Sequence, residues 1–274
     1  MAARMRRIPC VFAYEDERFV GDTERRGLLR RIVEGLWMAD QRLCDSWLTP
    51  KTQGVIVISE YLRRKYDSLG CRKIVTIPTL VDDREWRLGD AGGGCPEFFY
   101  SGEAGQSLYE FSNLLVAIAR LRAKGAQLRL TLVMGRPESF AAVATLVREV
   151  EALGIGDSIE FVEFMPLAKL KQRMSHARFL LCLRKDTPVA QSGASTKLSE
   201  YLATGRVVIM TPVGDIKPHL QHRRNAMVPA DTSVEAIEGA FSEALSLEPE
   251  EERAIGERGR ELARKLFSPG QVAD

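Results

Sequence analysis

From residue 97 onward, short apolar runs alternate with amphipathic ones. FFY (98–100), LRLTLVM (128–134), IEFV (159–162), FLLCL (179–183), VVIM (207–210) and AMV (226–228) read as strands. Between the first two, Leu108, Phe111, Leu114, Leu115, Ile118 and Leu121 recur at spacings of three and four. That period predicts a helix, which Gly125 ends. A second helix carries Phe140, Val143, Leu146, Val147 and Val150 and stops before Gly154. Further helical stretches are expected near 167–176, 195–204 and 215–221, and most of 233–267 is helical by the same test. Strands this apolar, with helices between them, predict a parallel sheet covered on both faces, a doubly wound Rossmann-like α/β domain.

The first part of the chain is shorter in strands. PCVFAY (9–14), GVIVI (54–58) and KIVTIP (73–78) are strand-like, and residues 23–44 form a long amphipathic pattern. Ser59 is a candidate N-cap for a helix ending near Gly70. Three strands fall below the usual four to six of a self-sufficient sheet. The expected organisation is therefore a partial Rossmann-like domain over 1–82, a linker over 83–97 rich in acids and glycines, and a complete α/β domain over 98–274. Asp82 and Asp83 are expected to serve the loop.

Composition narrows the class. The 274 residues are 45% hydrophobic and 28% charged, an ordinary globular balance. A net charge of +2 argues against nucleic acid as a partner. Five scattered cysteines with no CxxC pair predict free thiols in a reducing, cytoplasmic compartment. No apolar run approaches the roughly 18 residues that span a bilayer. In TERRGLLRRIVEGLWMADQRL (23–43), an apolar stripe (Leu28, Leu29, Ile32, Val33, Leu36, Trp37) is flanked by Arg25, Arg26, Arg30 and Arg31. It would either pack on the domain's own sheet or lie on the inner, anionic face of a membrane as a peripheral contact.

In an open parallel sheet, ligands bind beyond the carboxyl ends of the strands, against helix N-termini. Three such ends are polar and rich in small residues: YSGEAGQS (100–107), MGRPES (134–139) and LRKDTPVAQSGASTKLSEY (183–201). In the third, Gly193, Ser195, Thr196 and Lys197 could offer amides, a helix dipole and a cation to a diphosphate. Glu200, an acceptor only, suits the paired hydroxyls of a ribose. The plainer alternative is that Ser195 caps a helix and Lys197–Glu200 is a surface ion pair worth about 0.3–0.5 kcal/mol. These residues alone leave the two open. His176, His219 and His222 lie on helix-like segments without catalytic partners, and no metal-ligand motif is present.

The order GVIVISEYLRRKY, KIVTIPTLVD, FFYSGEAG, LRLTLVMG, IEFVEFMP, FLLCLRKD and STKLSEYLATGRVVIMTPVGD resembles the GT-B glycosyltransferases of family four. RNAMVPADTS (224–233) and GRELARKLF (259–267) extend the resemblance over nearly the whole chain, with the N-terminal domain incomplete. It implies a retaining enzyme that moves a sugar from a nucleotide-diphosphate sugar, its co-substrate, to a glycan or lipid-linked acceptor, with no metal or other cofactor. By resemblance, Glu200 binds the donor ribose, and Lys197 with the amides of Ser195 and Thr196 holds the phosphates. Met165, Pro166 and Leu167 line the nucleobase, Gly102 admits the diphosphate, and Arg184 adds positive charge at the leaving group. YEDER (14–18) corresponds to the acceptor side, which makes Glu15 and Asp16 the catalytic candidates.

Two positions depart from the family pattern. Ser192 stands where a glutamate facing the sugar is usual, with Gln191 as its candidate substitute, and Glu103 replaces an arginine after Gly102. They favour a second reading, a non-catalytic module that binds nucleotide or serves as a subunit of an assembly.

Overall fold

The computed structural model describes residues 11–14, 36, 39–40, 42–86, 94–102, 108–135, 141–193 and 196–271. The expectations for the helix at 23–44 up to residue 35, and for Cys10, Glu15, Asp16, Glu103, Phe140 and Ser195, lie outside these residues. The chain divides into two units: Met1–Thr79 with Thr187–Ala194, and Leu80–Asp186 with Ser195–Asp274.

In the first unit, β1 (Val11–Tyr14), β2 (Gly54–Val57) and β3 (Ile74–Thr76) form a parallel sheet in that order. Helix α1 (Glu60–Ser68) starts at Ser59, whose hydroxyl accepts from the Leu62 N–H at 3.2 Å. Val55, Val57, Leu62, Tyr66 and Cys71 make its core. Beneath it the Tyr66 hydroxyl donates to Asp45 Oδ1 at 3.0 Å, and Lys65 Nζ pairs with Asp45 Oδ2 at 3.0 Å, so the buried carboxylate is compensated twice.

The second unit holds a five-stranded, all-parallel sheet. Its strands are β4 (Glu97–Ser101), β5 (Arg129–Val133), β6 (Ile159–Val162), β7 (Phe179–Cys182) and β8 (Val207–Met210), in the order β6-β5-β4-β7-β8. The apolar alternation splits between the two faces, as strands buried on both sides require. Phe98, Leu130, Leu132, Phe179, Leu181 and Ile209 face α3 (Leu108–Ala123), α4 (Ala141–Leu153) and α8 (Val234–Leu245). On that side the Phe98 ring stacks on Phe179 at 4.8 Å and Phe241 at 4.3 Å. Phe99, Leu180, Cys182, Val208 and Met210 face α7 (Thr196–Ala203) and α9 (Pro249–Phe267). The predicted strand at 226–228 is reduced to a bridge: the Met210 N–H donates to Met227 O and the Met227 N–H to Val208 O, both at 2.9 Å.

Two boundaries differ from the sequence expectation. The stretch assigned to a linker begins with a short helix, α2 (Asp83–Trp86), whose Trp86 is buried. Asp83 bridges Arg260 at 2.8 Å and Arg264 at 2.7 Å on α9. Burial pushes its carboxyl pKa up, but the two guanidiniums outweigh that and hold it below the usual value. Asp83 is thus an anchor of the second unit and not a loop residue. Conversely, α6 (Pro188–Ser192), expected in the C-terminal domain, packs on α1 within the first unit, where the Ser59 hydroxyl donates to Ser192 O at 2.7 Å.

Helix α9 presses Gly256 onto the turn that leads from α7 into β8. A Cβ at 256 would overlap the carbonyl oxygen of Gly205, a backbone atom that cannot move aside. Among the described residues, no helix is long and apolar enough to cross a membrane. Gly256→Ala should destabilise the chain by about 1–3 kcal/mol in denaturant unfolding. Gly239→Ala, at an exposed position of α8 with open space around it, should stabilise by roughly 0.5–1 kcal/mol.

Candidate donor site

Chain order places the candidate site. Strand β4 is the first of the second unit and β7 the fourth, yet they are neighbours, so connections leave them toward opposite sides and open a crevice at their carboxyl ends. Three segments lie at this edge of the sheet: Gly102 at the end of β4, Leu183–Arg184 after β7, and the start of α7.

Gly102 has φ +150°, and its N–H donates to Val133 O at 2.9 Å. A Cβ at this position would collide with the Lys197 ammonium and lie 2.9 Å from the Tyr100 hydroxyl oxygen. The missing side chain is the space that Lys197 occupies. Lys197 reaches it from the first turn of α7, with Nζ 5.3 Å from the centre of the Tyr100 ring.

Lys197 and Glu200 do not pair. Among the described residues no cation comes within ion-pair distance of the Glu200 carboxylate and no donor bonds it, although it is about half-buried. Burial raises its pKa, and the fields of Lys197 and Lys171 only partly oppose that. The surface ion pair allowed by the sequence is therefore not formed. The cation sits at Gly102, and the acceptor stays separate from it, half-buried one turn along the helix.

The supporting groups are hydroxyls. The Tyr201 hydroxyl, on fully buried α7 surface, accepts from the Ser101 N–H at 2.9 Å and ties the end of β4 to that helix. Burial pushes the phenol pKa well up, so it stays neutral. Past β8, Thr211 Oγ1 accepts from the Arg184 N–H at 2.8 Å and donates to Arg184 O at 2.7 Å, which fixes the backbone of the predicted leaving-group arginine. Lys171 donates to Glu85 O at 2.8 Å and lies over the Trp86 ring at 4.4 Å, so α2 braces the cation beside Glu200.

Of the predicted residues, Gly102, Arg184, Thr196, Lys197 and Glu200 belong to this edge, Thr196 exposed at the start of α7. Met165, Pro166 and Leu167 lie beyond β6, at the entry to α5 (Leu167–Met174), with Pro166 and Leu167 exposed and Met165 half-buried. Gln191 and Gly193 sit in the Thr187–Ala194 segment of the first unit. The Gly193 amide already donates to Val189 O at 3.1 Å, so it is not available to an anion. Tyr100, Tyr201 and Thr211 were missed. Only their place at or beside strand ends could have flagged them.

A model of the group 1 glycosyl transferases matches residues 96–246, more than half of the chain. The chain belongs to this family. Solved structures share its fold. Sucrose-phosphate synthase from Thermosynechococcus elongatus aligns with a TM-score of 0.71 and 18% identity, over 99% of this chain and 68% of that one. HepE from Anabaena, solved with UDP and glucose, aligns with a TM-score of 0.72 and 14% identity, over 99% and 71%. The C-terminal domain of the group 1 protein LpcC from Francisella tularensis gives 0.55 and 14%, over 69% and 99%. No curated protein matches the sequence significantly. The glycosyl transferase model spans β4 through α8, the elements that bring Gly102, Arg184, Lys197 and Glu200 together.

Removing the hydroxyl in Tyr201→Phe should strand the Ser101 N–H and destabilise by about 1–3 kcal/mol. Denaturant unfolding reads the loss, and hydrogen exchange at Ser101 should accelerate more than at Phe98.

Proposed function

We propose that this glycosyl transferase moves a hexosyl group from a nucleotide-diphosphate sugar to a glycan or lipid-linked acceptor, with retention, in the manner of the family-four enzymes. The observation that carries the reading is the seating of the Lys197 ammonium in the space left by Gly102, with the Glu200 carboxylate, unpaired among the described residues, one turn further along the same helix. A diphosphate at the head of α7 would meet Lys197 and the helix amides, and the ribose hydroxyls would donate to Glu200. As the glycosyl–oxygen bond breaks, negative charge grows on the departing diphosphate. Lys197, Arg184 and the helix N-terminus supply fixed positive potential there in place of a metal ion. The solved complex of HepE with UDP and glucose supports a uridine donor by analogy of fold. The reading places the chain in the cytoplasm, with residues 23–43 as its contact with the inner membrane face and Glu15 and Asp16 on the acceptor side.

A second reading, a nucleotide-binding module without turnover, is favoured by Ser192. A serine carries no carboxylate, and this one is buried with its hydroxyl donating to Val189 O and its carbonyl bonded to Ser59, so it does not stand in for a glutamate.

Isothermal titration with UDP and GDP is the test. One of them should bind, and Lys197→Ala and Glu200→Ala should each weaken it about tenfold. Because burial raises the Glu200 pKa, its charge is lost at a higher pH than for an ordinary carboxyl. Affinity should therefore fall on acidification toward that raised value, and Glu200→Gln should flatten the profile. Turnover of the matching sugar nucleotide should survive EDTA. Tight nucleotide binding without hydrolysis or transfer would select the second reading, and no binding at millimolar nucleotide would dismiss both.

A further inference from the structure

Two lysines act on the Glu200 carboxylate, and each places its ammonium elsewhere. Lys197 occupies the space at Gly102. Lys171, on α5, donates to Glu85 O at 2.8 Å and lies over the Trp86 ring at 4.4 Å. Packing brings α2, α5 and α7 to one place. Trp86 of α2, Leu170 and Met174 of α5, and Leu198 and Tyr201 of α7 share one apolar cluster, and α2 rests directly on α7. Lys171 lies between Leu170 and Met174 on its helix, and Glu200 between Leu198 and Tyr201 on its own.

The other charges on the elements packed against α7 are engaged or distant in effect. Asp83 is held by Arg260 and Arg264, Arg84 pairs with Asp82 at 2.8 Å, and Glu257 lies 4.0 Å from Arg260. Glu85 is exposed on α2, and β7 and β8 bring only the Cys182 thiol. The charges that act on Glu200 are Lys197 and Lys171.

A half-buried carboxylate has two ordinary fates. With no cation nearby, burial favours the protonated form, which has a hydrogen to give and less capacity to accept. With a cation in direct contact, its oxygens are taken up in a charge-assisted bond that a ligand hydroxyl would have to displace. Lys171 avoids both, because its field reaches Glu200 while its ammonium stays bonded to α2 and over an aromatic face. We propose that Lys171 is a positioning residue: held on α2 by Glu85 O and the Trp86 ring, it keeps Glu200 ionised and free to accept from the paired ribose hydroxyls of the nucleotide. This rests on the donor-site reading above. A Lys171 that only fastened α5 to α2 would serve stability alone. Its loss would then lower Tm and leave the titration of Glu200 where it is.

The experiment follows the Glu200 carboxyl against pH by carbon-13 NMR in the unliganded wild type, Lys171→Met, Lys171→Arg and Trp86→Leu, with Glu200→Gln to assign the signal. UDP and GDP titrations cover the same pH range. Lys171→Met should raise the Glu200 midpoint by about half a pH unit or more, and Lys171→Arg, which keeps the charge, should return it. Trp86→Leu frees the ammonium to pair with Glu200 and should move the midpoint the other way. In Lys171→Met the loss of nucleotide affinity on acidification should begin at higher pH, in step with the midpoint. A midpoint unmoved in Lys171→Met, left raised in Lys171→Arg or not lowered in Trp86→Leu would overturn the proposal, and so would a binding profile that stays in place while the midpoint moves. If Trp86→Leu does not fold, the two Lys171 variants decide. All of these leave the donor site standing as long as UDP or GDP binds. Failure of both to bind the wild type would overturn the donor-site reading and the ribose role of Glu200 with it, an outcome that the unliganded titration keeps distinct from a failure of Lys171 to act.

Discussion

The second unit depends on one constraint: β4 and β7 are neighbours in the sheet although two strands separate them in the chain. Right-handed crossovers then send α3 to one face and α7 to the other. Both helices begin at the carboxyl edge of the sheet, where Gly102 follows β4. Any side chain at that position would take the place of the Lys197 ammonium. The crevice is therefore a result of topology, and a missing Cβ at its edge seats the ammonium.

Holding that edge open leaves polar backbone exposed to a nearly dry interior, and the chain answers with buried hydroxyls. Tyr201 takes the Ser101 N–H, and Thr211 closes on both the N–H and the carbonyl of Arg184. Each spans two strand ends, or a strand end and a helix, that lie far apart in sequence. They fix where the flanking backbone sits without placing a charge in the crevice. The charges that serve architecture are paired instead: Asp83 between Arg260 and Arg264, Asp45 between Lys65 and Tyr66, Arg178 with Glu252.

Much of this was legible in the order of residues. The strands at 98–100, 128–134, 159–162, 179–183 and 207–210 are mostly apolar because both faces of the sheet are covered, and that pattern is local. Ser59 and Gly125 punctuate helices for equally local reasons. Lys197 and Glu200 were legible as residue types, but whether they paired was not. That depends on the cavity beside Gly102, ninety-five positions away in the chain, which offers the ammonium a better seat. Tyr100, Tyr201 and Thr211 read as ordinary strand and helix residues, since a buried hydroxyl declares its role only through a distant partner. Helix α2 was hidden for a similar reason: DDREW resembles a solvated loop until Arg260 and Arg264 are brought to it. The excursion of 187–194 into the first unit left no periodic trace, because five residues of helix are too few to show a face.

The distribution of unpaired groups carries the last step. Lys197 and Glu200 are each half-buried, each without a hydrogen bond or ion pair among the described residues, and both rise from α7 at one edge of one sheet. A fold selected for stability alone would neutralise them, as it does Asp83 and Asp45, because an uncompensated buried charge opposes folding. Their signs are also mixed. A purely anionic ligand would favour cations throughout, and a purely cationic one the reverse. One ammonium with an acceptor a turn further along the same helix instead matches a molecule that carries negative charge beside hydroxyls, as the nucleotide-sugar donor proposed above does.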